Sequence, residues 1–239
     1  MGDAAMVLGE GTGPHVFVDD LTQPGLADDD RHHLAKALRV RAGDAFTVSD
    51  GRGRWRPCRF GEPVEPVGAI QTVRAPTPSL TIAFALVKGE RPELIVQKLT
   101  ELGIDHIVPF VAGRSVVRPD ATRVDRQVER WRRVAREAAM QSRRAWLPTV
   151  TEPASFEVLA REVGVCRAER GGDVPSLERP VVIVGPEGGW SDAERALVPA
   201  TVALGPQVLR AETACIAAAT VLGALRAGLL GPGRGSPAI

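Results

Sequence analysis

Two glycine-rich turns near the C-terminus constrain this chain more than any other feature: Val184-Gly185-Pro186-Glu187-Gly188-Gly189-Trp190 and Leu204-Gly205-Pro206-Gln207-Val208-Leu209-Arg210-Ala211-Glu212-Thr213-Ala214. Each follows a short β-branched run and precedes a helical pattern, so each reads as a strand-to-helix turn. Such turns lie at the carboxyl ends of strands, where open α/β sheets collect their ligands. Two of them, both carrying Gly-Pro and both close to acidic residues, read as the walls of one pocket.

The rest of the C-terminal part agrees with that placement. Runs at 80–87, 107–111, 181–184 and 201–204 have the composition of short buried strands. Between them, Pro92 suits a first helical turn, and Leu94, Ile95, Leu99 and Leu102 share an apolar face closed by Gly103. Thr122-Arg123-Val124-Asp125 and Ser191-Asp192-Ala193-Glu194 have capping-box spacing. The first opens a long helix with Val124, Val128, Trp131, Ala135 and Ala138 on one stripe. A shorter helix is expected over 156–163 and an alanine-rich one over 212–230. Strand–helix alternation of this kind predicts an α/β domain with a parallel sheet covered on both faces.

Residues 1–73 have a different grain. Short strands are expected at 15–19, 45–50, 55–60 and 67–73, with a hairpin at Asp50-Gly51-Arg52-Gly53 and one or two helical turns at 32–39. This predicts a small β-barrel, followed by a linker at 74–78, the α/β domain at 79–231 and a disordered Gly/Pro tail at 232–239.

Composition narrows the function class. Of 239 residues, 44% are hydrophobic, enough for a packed core, yet no apolar run approaches the ~20 residues of a membrane span. Cys58, Cys166 and Cys215 are far apart and lack CxxC spacing, as expected of reduced thiols in a cytoplasmic protein with no signal peptide. A net charge of +1 conceals two basic zones. From Arg31 to Arg59 the cations face only Asp44 and Asp50, and from Arg114 to Arg144 arginines dominate. Such zones on a nearly neutral protein favour a polyanionic partner, although an arginine-heavy composition also supplies ordinary solvated faces. No GxxxxGK[ST], G-x-G-x-x-G or G-x-S-x-G pattern occurs at the turns, and the four histidines lack zinc spacing, so no metal is expected.

Many blocks in a fixed order carry a family resemblance: His32-His33-Leu34 through Leu38-Arg39-Val40, Lys88-Gly89, Gln97-Lys98-Leu99-Thr100-Glu101-Leu102-Gly103, Pro109, Arg130-Trp131, Glu137-Ala138-Ala139, Gln141-Ser142, Arg144, Pro148 and the two glycine turns. Over nearly its whole length the chain resembles the ribosomal small-subunit RNA methyltransferase E family, which methylates N3 of a uridine in 16S ribosomal RNA. Met140 and Gln207 depart from that family's pattern, where Glu and Arg are usual. The resemblance implies a SPOUT-type knotted parallel-sheet methyltransferase domain preceded by a small PUA-like β-barrel. It also implies S-adenosylmethionine as cofactor, 16S ribosomal RNA or the small subunit as partner, and a homodimer.

On that basis Val184, Gly185, Pro186, Glu187, Gly188, Gly189, Leu204, Gly205, Leu209 and Ala214 are the expected cofactor-binding residues. Arg210 is the candidate for stabilising a developing uridinate, with phosphate anchoring as its other reading. Glu212 can orient Arg210, serve as a general base, or simply favour a helix N-terminus. His33, Arg39, Lys98, Arg114, Arg118, Arg143 and Arg144 are the expected RNA contacts, while Lys98 with Glu101 also reads as a plain surface pair. Two alternatives stay open at this level: a SPOUT ribose 2′-O-methyltransferase acting on transfer or ribosomal RNA, and a non-catalytic RNA-binding module.

Overall fold

The strand-rich start and the strand–helix alternation after it produce two separate sheets in the computed structural model, which describes residues 13–86, 91–114 and 121–231. The expected tail at 232–239 therefore lies outside the described residues, as do Arg118, Lys88-Gly89 and the last residue of the 80–87 run. Two units divide the chain: residues 13–76 with Arg136–Leu147, and Thr77–Ala135 with residues 148–231.

The first unit is built on a mixed sheet. Strand β1 (His15–Phe17) pairs in parallel with β2 (Ala45–Ser49), which pairs antiparallel with β3 (Arg54–Arg59). The short β4 (Glu65–Pro66) and β5 (Gln71–Thr72) both lie antiparallel to β3. They replace the single strand expected at 67–73, because Val67-Gly68 turns the chain between them. The Asp50 hairpin forms, its Oδ1 accepting from the backbone N–H of Arg52 (2.8 Å) and Arg54 (3.1 Å). Helix α1 (Asp28–His32) starts earlier than expected and continues as a π-turn over His33–Ala37, which drives Leu34 into a core with Val16, Phe46, Val48 and Cys58.

The second unit holds a seven-stranded sheet in which every pair is parallel. Its elements are β6 (Thr81–Ala85), α2 (Arg91–Glu101), β7 (His106–Val111), α3 (Ala121–Gln141), β8 (Thr149–Val150), β9 (Ala154–Ser155), α4 (Phe156–Leu159), β10 (Val165–Asp173), β11 (Val181–Val184), α5 (Asp192–Leu197), β12 (Thr201–Val202) and α6 (Ala211–Arg226). The order β12-β10-β11-β6-β7-β8, with β9 on β7, puts β11 and β6 in the middle. These strands are apolar at successive positions, as burial on both faces requires. Ile82 and Phe84 point into one core with Leu99, Trp131 and Cys215, while Ala83 and Ala85 point into the other with Phe110, Phe156 and Trp190. Helix α6 adds Ala214, Ala218 and Ala219 to the first of these cores.

Three local expectations are corrected. Helix α3 begins at Ala121, so Thr122 lies within it instead of capping it. Helix α4 stops at Leu159, because the chain turns through residues 160–164 to enter β10. Strand β10 itself was not expected: Arg167, Glu169 and Arg170, followed by Gly171-Gly172, obscure any strand periodicity. Three buried thiols are free, and burial pushes Cys58 and Cys166 up to about 11, which leaves them unreactive at neutral pH.

The end of α3 and the segment after it cluster with the first unit. Arg136 grips Asp30 through both guanidinium nitrogens (2.9 and 2.7 Å) and donates to the Phe17 carbonyl at 3.0 Å. His15, 3% exposed, sits beside Thr47 with Nδ1 2.8 Å from Oγ1. Burial pushes its imidazole down to about 4; nearby Arg143 and Arg136 act in the same direction, and a hydrogen bond at the Arg144 backbone opposes them. The unfolded chain then takes up this proton near pH 6.5 while the folded protein resists it. The neutral ring's contribution is present in full above pH 6.5 and is lost as the pH falls towards 4, to a total of about 3 kcal/mol. Urea unfolding of the wild type and of His15→Asn from pH 7 to 4 checks this, because only the wild type carries that share of the slope.

Candidate functional site

The second glycine turn borders a cavity of about 180 Å³ lined by Leu204, Gly205, Gln207, Val208, Leu209 and Ala214, with Ala168, Glu169 and Arg170 of β10 completing its wall. Gly205 takes φ = 142°, a conformation that a side-chain-bearing residue rarely adopts, and the space where its Cβ would stand is open. Leu204, Gly205, Leu209 and Ala214 are thus brought to one place, as expected.

The first turn does not line this cavity. Val184 is 2% exposed and packs in the main core. Gly185 lies under Trp190, where a Cβ would come within 2.9 Å of the indole. Gly189, at φ = 68°, closes a turn by donating to the Pro186 carbonyl at 2.9 Å. Glu187 pairs with Arg91 at 2.8 Å, and the Gly188 carbonyl accepts from Arg114 at 3.4 Å. The link to the cavity runs through Trp190, whose Nε1 donates to the carbonyl of Ala168 at 3.2 Å.

Three groups missed in the sequence support that link. Arg167, 3% exposed, lies over Trp190 at 5.4 Å and donates to the Val198 carbonyl (2.6 Å) and to Glu169 (2.6 Å). Arg195 of α5 holds the other Glu169 oxygen. Burial alone would raise the Glu169 pKa, but hydrogen bonds and charge from Arg195 and Arg167 outweigh it and hold the carboxyl below its ordinary range. The signal was the alternation of Arg167 and Glu169, which share one face of a strand; it was legible only once β10 was recognised. Helix α5 is fixed by the expected capping box, in which Ser191 and Glu194 satisfy each other and Glu194 also accepts from the Gly113 N–H at 2.9 Å.

Arg210 is the N-cap of α6 and exposed; its carbonyl accepts from the Ala214 N–H at 2.8 Å, while its side chain makes no hydrogen bond or ion pair among the described residues. Glu212 lies two residues on and does not pair with it; one Glu212 carboxylate oxygen is buried without a partner among the described residues. Among the expected RNA contacts, His33 and Arg39 are exposed and Arg143 half-buried in the first unit. Arg39 and Arg143 hold left-handed backbone at φ of 55° and 54°. Arg144 is 6% exposed and has no surface to offer a phosphate. In the second unit Arg114 is exposed and Lys98 is paired with Glu101 at 2.7 Å. Among the described residues there is no cluster able to hold a metal ion and no helix long and apolar enough to cross a membrane.

A parallel-sheet domain with a cavity at its glycine turn, following a small mixed-sheet unit in the sequence, is what the family models match as an RNA methyltransferase. Residues 74–223 match the RNA methyltransferase domain family and residues 26–63 the RNA methyltransferase PUA domain family. The Ribosomal RNA small subunit methyltransferase E of Mycobacterium bovis is 33% identical over 87% of this chain and 90% of its own. That of Synechocystis is 35% identical over 81% of this chain and 70% of its own. A methyltransferase of Legionella pneumophila, solved with bound S-adenosylmethionine, superposes with a TM-score of 0.75 at 27% identity, covering 88% of this chain and 97% of that one. This chain belongs to the ribosomal RNA small subunit methyltransferase E family.

Proposed function

We propose that this protein methylates N3 of a specific uridine in the 16S ribosomal RNA of the small subunit, using S-adenosylmethionine, and that it works as a cytoplasmic homodimer. The observation that carries the reading is the cavity at the second glycine turn, with the free guanidinium of Arg210 directly after the lining residue Leu209.

The lining fits the cofactor. Leu204, Leu209 and Ala214 offer apolar surface to an adenine, and the open space at Gly205 lets backbone polar groups approach a ligand edge. When bound, S-adenosylmethionine supplies an electrophilic methyl group whose carrier leaves as a neutral thioether, so that N3 gains a carbon as it gives up its proton. The charge and the proton are left to the chain. Arg210 stabilises the negative charge that develops on the pyrimidine. Glu212, two residues after Arg210, is the candidate to receive the N3 proton. Exposed His33, Arg39 and Arg114, with half-buried Arg143, contact RNA phosphates. The left-handed backbone at Arg39 and Arg143 is the kind of strain that proteins keep at functional positions.

Primer extension on small subunits lacking the modification tests the reading. A methyl on N3 blocks the base-pairing edge, so reverse transcription is expected to stop next to one uridine only after treatment with protein and cofactor. Methylation without such a stop would favour the ribose 2′-O reading.

A further inference from the structure

We propose that Arg226 is a positioning residue for methyl transfer: its buried clamp fixes where α6 lies along its own axis, and so where Arg210 stands at the other end. The assignment rests on the function proposed above and adds a residue at the far end of the helix that Arg210 caps.

Helix α6 offers little of its own to set that position. Its buried residues are Ala211, Ala214, Cys215, Ala218, Ala219 and Leu222, and it packs on α2 and β6. Ridges of such small side chains are shallow, so they oppose sliding only weakly. They do let backbones come close: at Gly223 a Cβ would stand 3.0 Å from the Leu102 carbonyl oxygen. A helix is stiff along its axis, so holding one end of these 16 residues sets the other, about 24 Å away.

Arg226 holds that end. Its side chain is 3% exposed, and the guanidinium donates to the Asp105 carboxylate, to the Gly103 carbonyl in the turn that closes α2, and to the Pro78 carbonyl at 3.1 Å. Asp105 also accepts from the Leu80 N–H at 2.9 Å, at the entry to β6. The planar fork fixes direction as well as distance. A buried ion pair adds little stability over an apolar pair of similar volume, and Arg226 Nε has no partner among the described residues. What the clamp supplies is one position for α6. A slip by one residue's rise, about 1.5 Å, is enough to take a group at the other end out of a productive geometry.

Methylation kinetics of the full chain on small subunits lacking the modification, with urea unfolding of the same preparations, test this. The variants are Arg226→Met and the double change Arg226→Met with Asp105→Asn. The single change withdraws the arginine from the largely buried Asp105 carboxylate and is expected to lower the urea midpoint. The double change removes that charge, keeps an oxygen for the Leu80 N–H, and is expected to recover most of the midpoint. It does not restore the grip on Gly103 and Pro78, so kcat is expected to stay on the order of 10- to 100-fold below wild type. KM for S-adenosylmethionine is expected to change less than about threefold, since Leu204, Gly205 and Leu209 lie outside α6. A double variant that recovers stability and kcat together overturns the positioning role, as does a wild-type kcat in either folded variant. If neither variant folds, Arg226→Lys, which keeps the charge and gives up the fork, is read for the same loss of kcat. A wild type that transfers no methyl to RNA overturns the functional reading itself.

Discussion

Replacing Arg210 by alanine is expected to lower kcat by about 10²- to 10³-fold while leaving cofactor affinity within about threefold of wild type. The magnitude is that of a single donor removed from a charge developing in the transition state. The uridine ring acquires that charge only as N3 loses its proton, so the cation acts on the reaction more than on the bound reactants. Arg210 is free to do so because no carboxylate among the described residues neutralises it, and its place at the N-cap of α6 fixes its backbone next to Leu209. If Arg210 instead only anchors a phosphate, the same variant raises KM for RNA, reduces the salt dependence of RNA binding by about one ion, and leaves kcat nearly unchanged. Single-turnover methylation at saturating RNA, with calorimetry for the cofactor, separates the two results.

Truncating Trp131 to alanine is expected to destabilise the protein by about 3–5 kcal/mol, a large part of the ~5–15 kcal/mol that holds a typical domain together. Trp131 is fully buried and meets Phe84 edge to face, with centroids 6.4 Å apart, between α3 and the centre of the sheet. Its indole Nε1 is buried without a partner among the described residues, which itself costs roughly 1–3 kcal/mol. Trp131→Phe keeps most of the apolar bulk and removes that orphan donor, so it is expected to cost less than about 1.5 kcal/mol. Urea unfolding of the two variants checks the contrast; equal losses would mean that the indole N–H is satisfied in solution.

Much of this fold was legible in the sequence because its strongest signals are local. Pro92 and Gly103 bracket α2, Ser191 and Glu194 cap α5, and the Asp50 turn closes a hairpin. Strand β10 was not legible, because its stability comes from both sheet neighbours and from an arginine whose partners are distant in sequence. Half of the candidate cavity went with it. Sequence spacing placed Leu204, Gly205, Leu209 and Ala214 together, but assigned the opposite wall to the Gly185–Gly189 turn. Ala168, Glu169 and Arg170 of β10 also line this cavity, and Trp190, next to that turn, donates to the Ala168 carbonyl. The burial of Arg144 was equally hidden, since a basic run in a sequence does not say which of its members faces inward.

The central claim is the position of the added methyl. Small subunits lacking the modification, incubated with this protein and methyl-labelled S-adenosylmethionine and then digested to nucleosides, test it directly. The label is expected in 3-methyluridine, and its absence with Arg210→Ala would tie the product to the site. Label in a 2′-O-methyl nucleoside, or no label although the cofactor binds, would contradict the account.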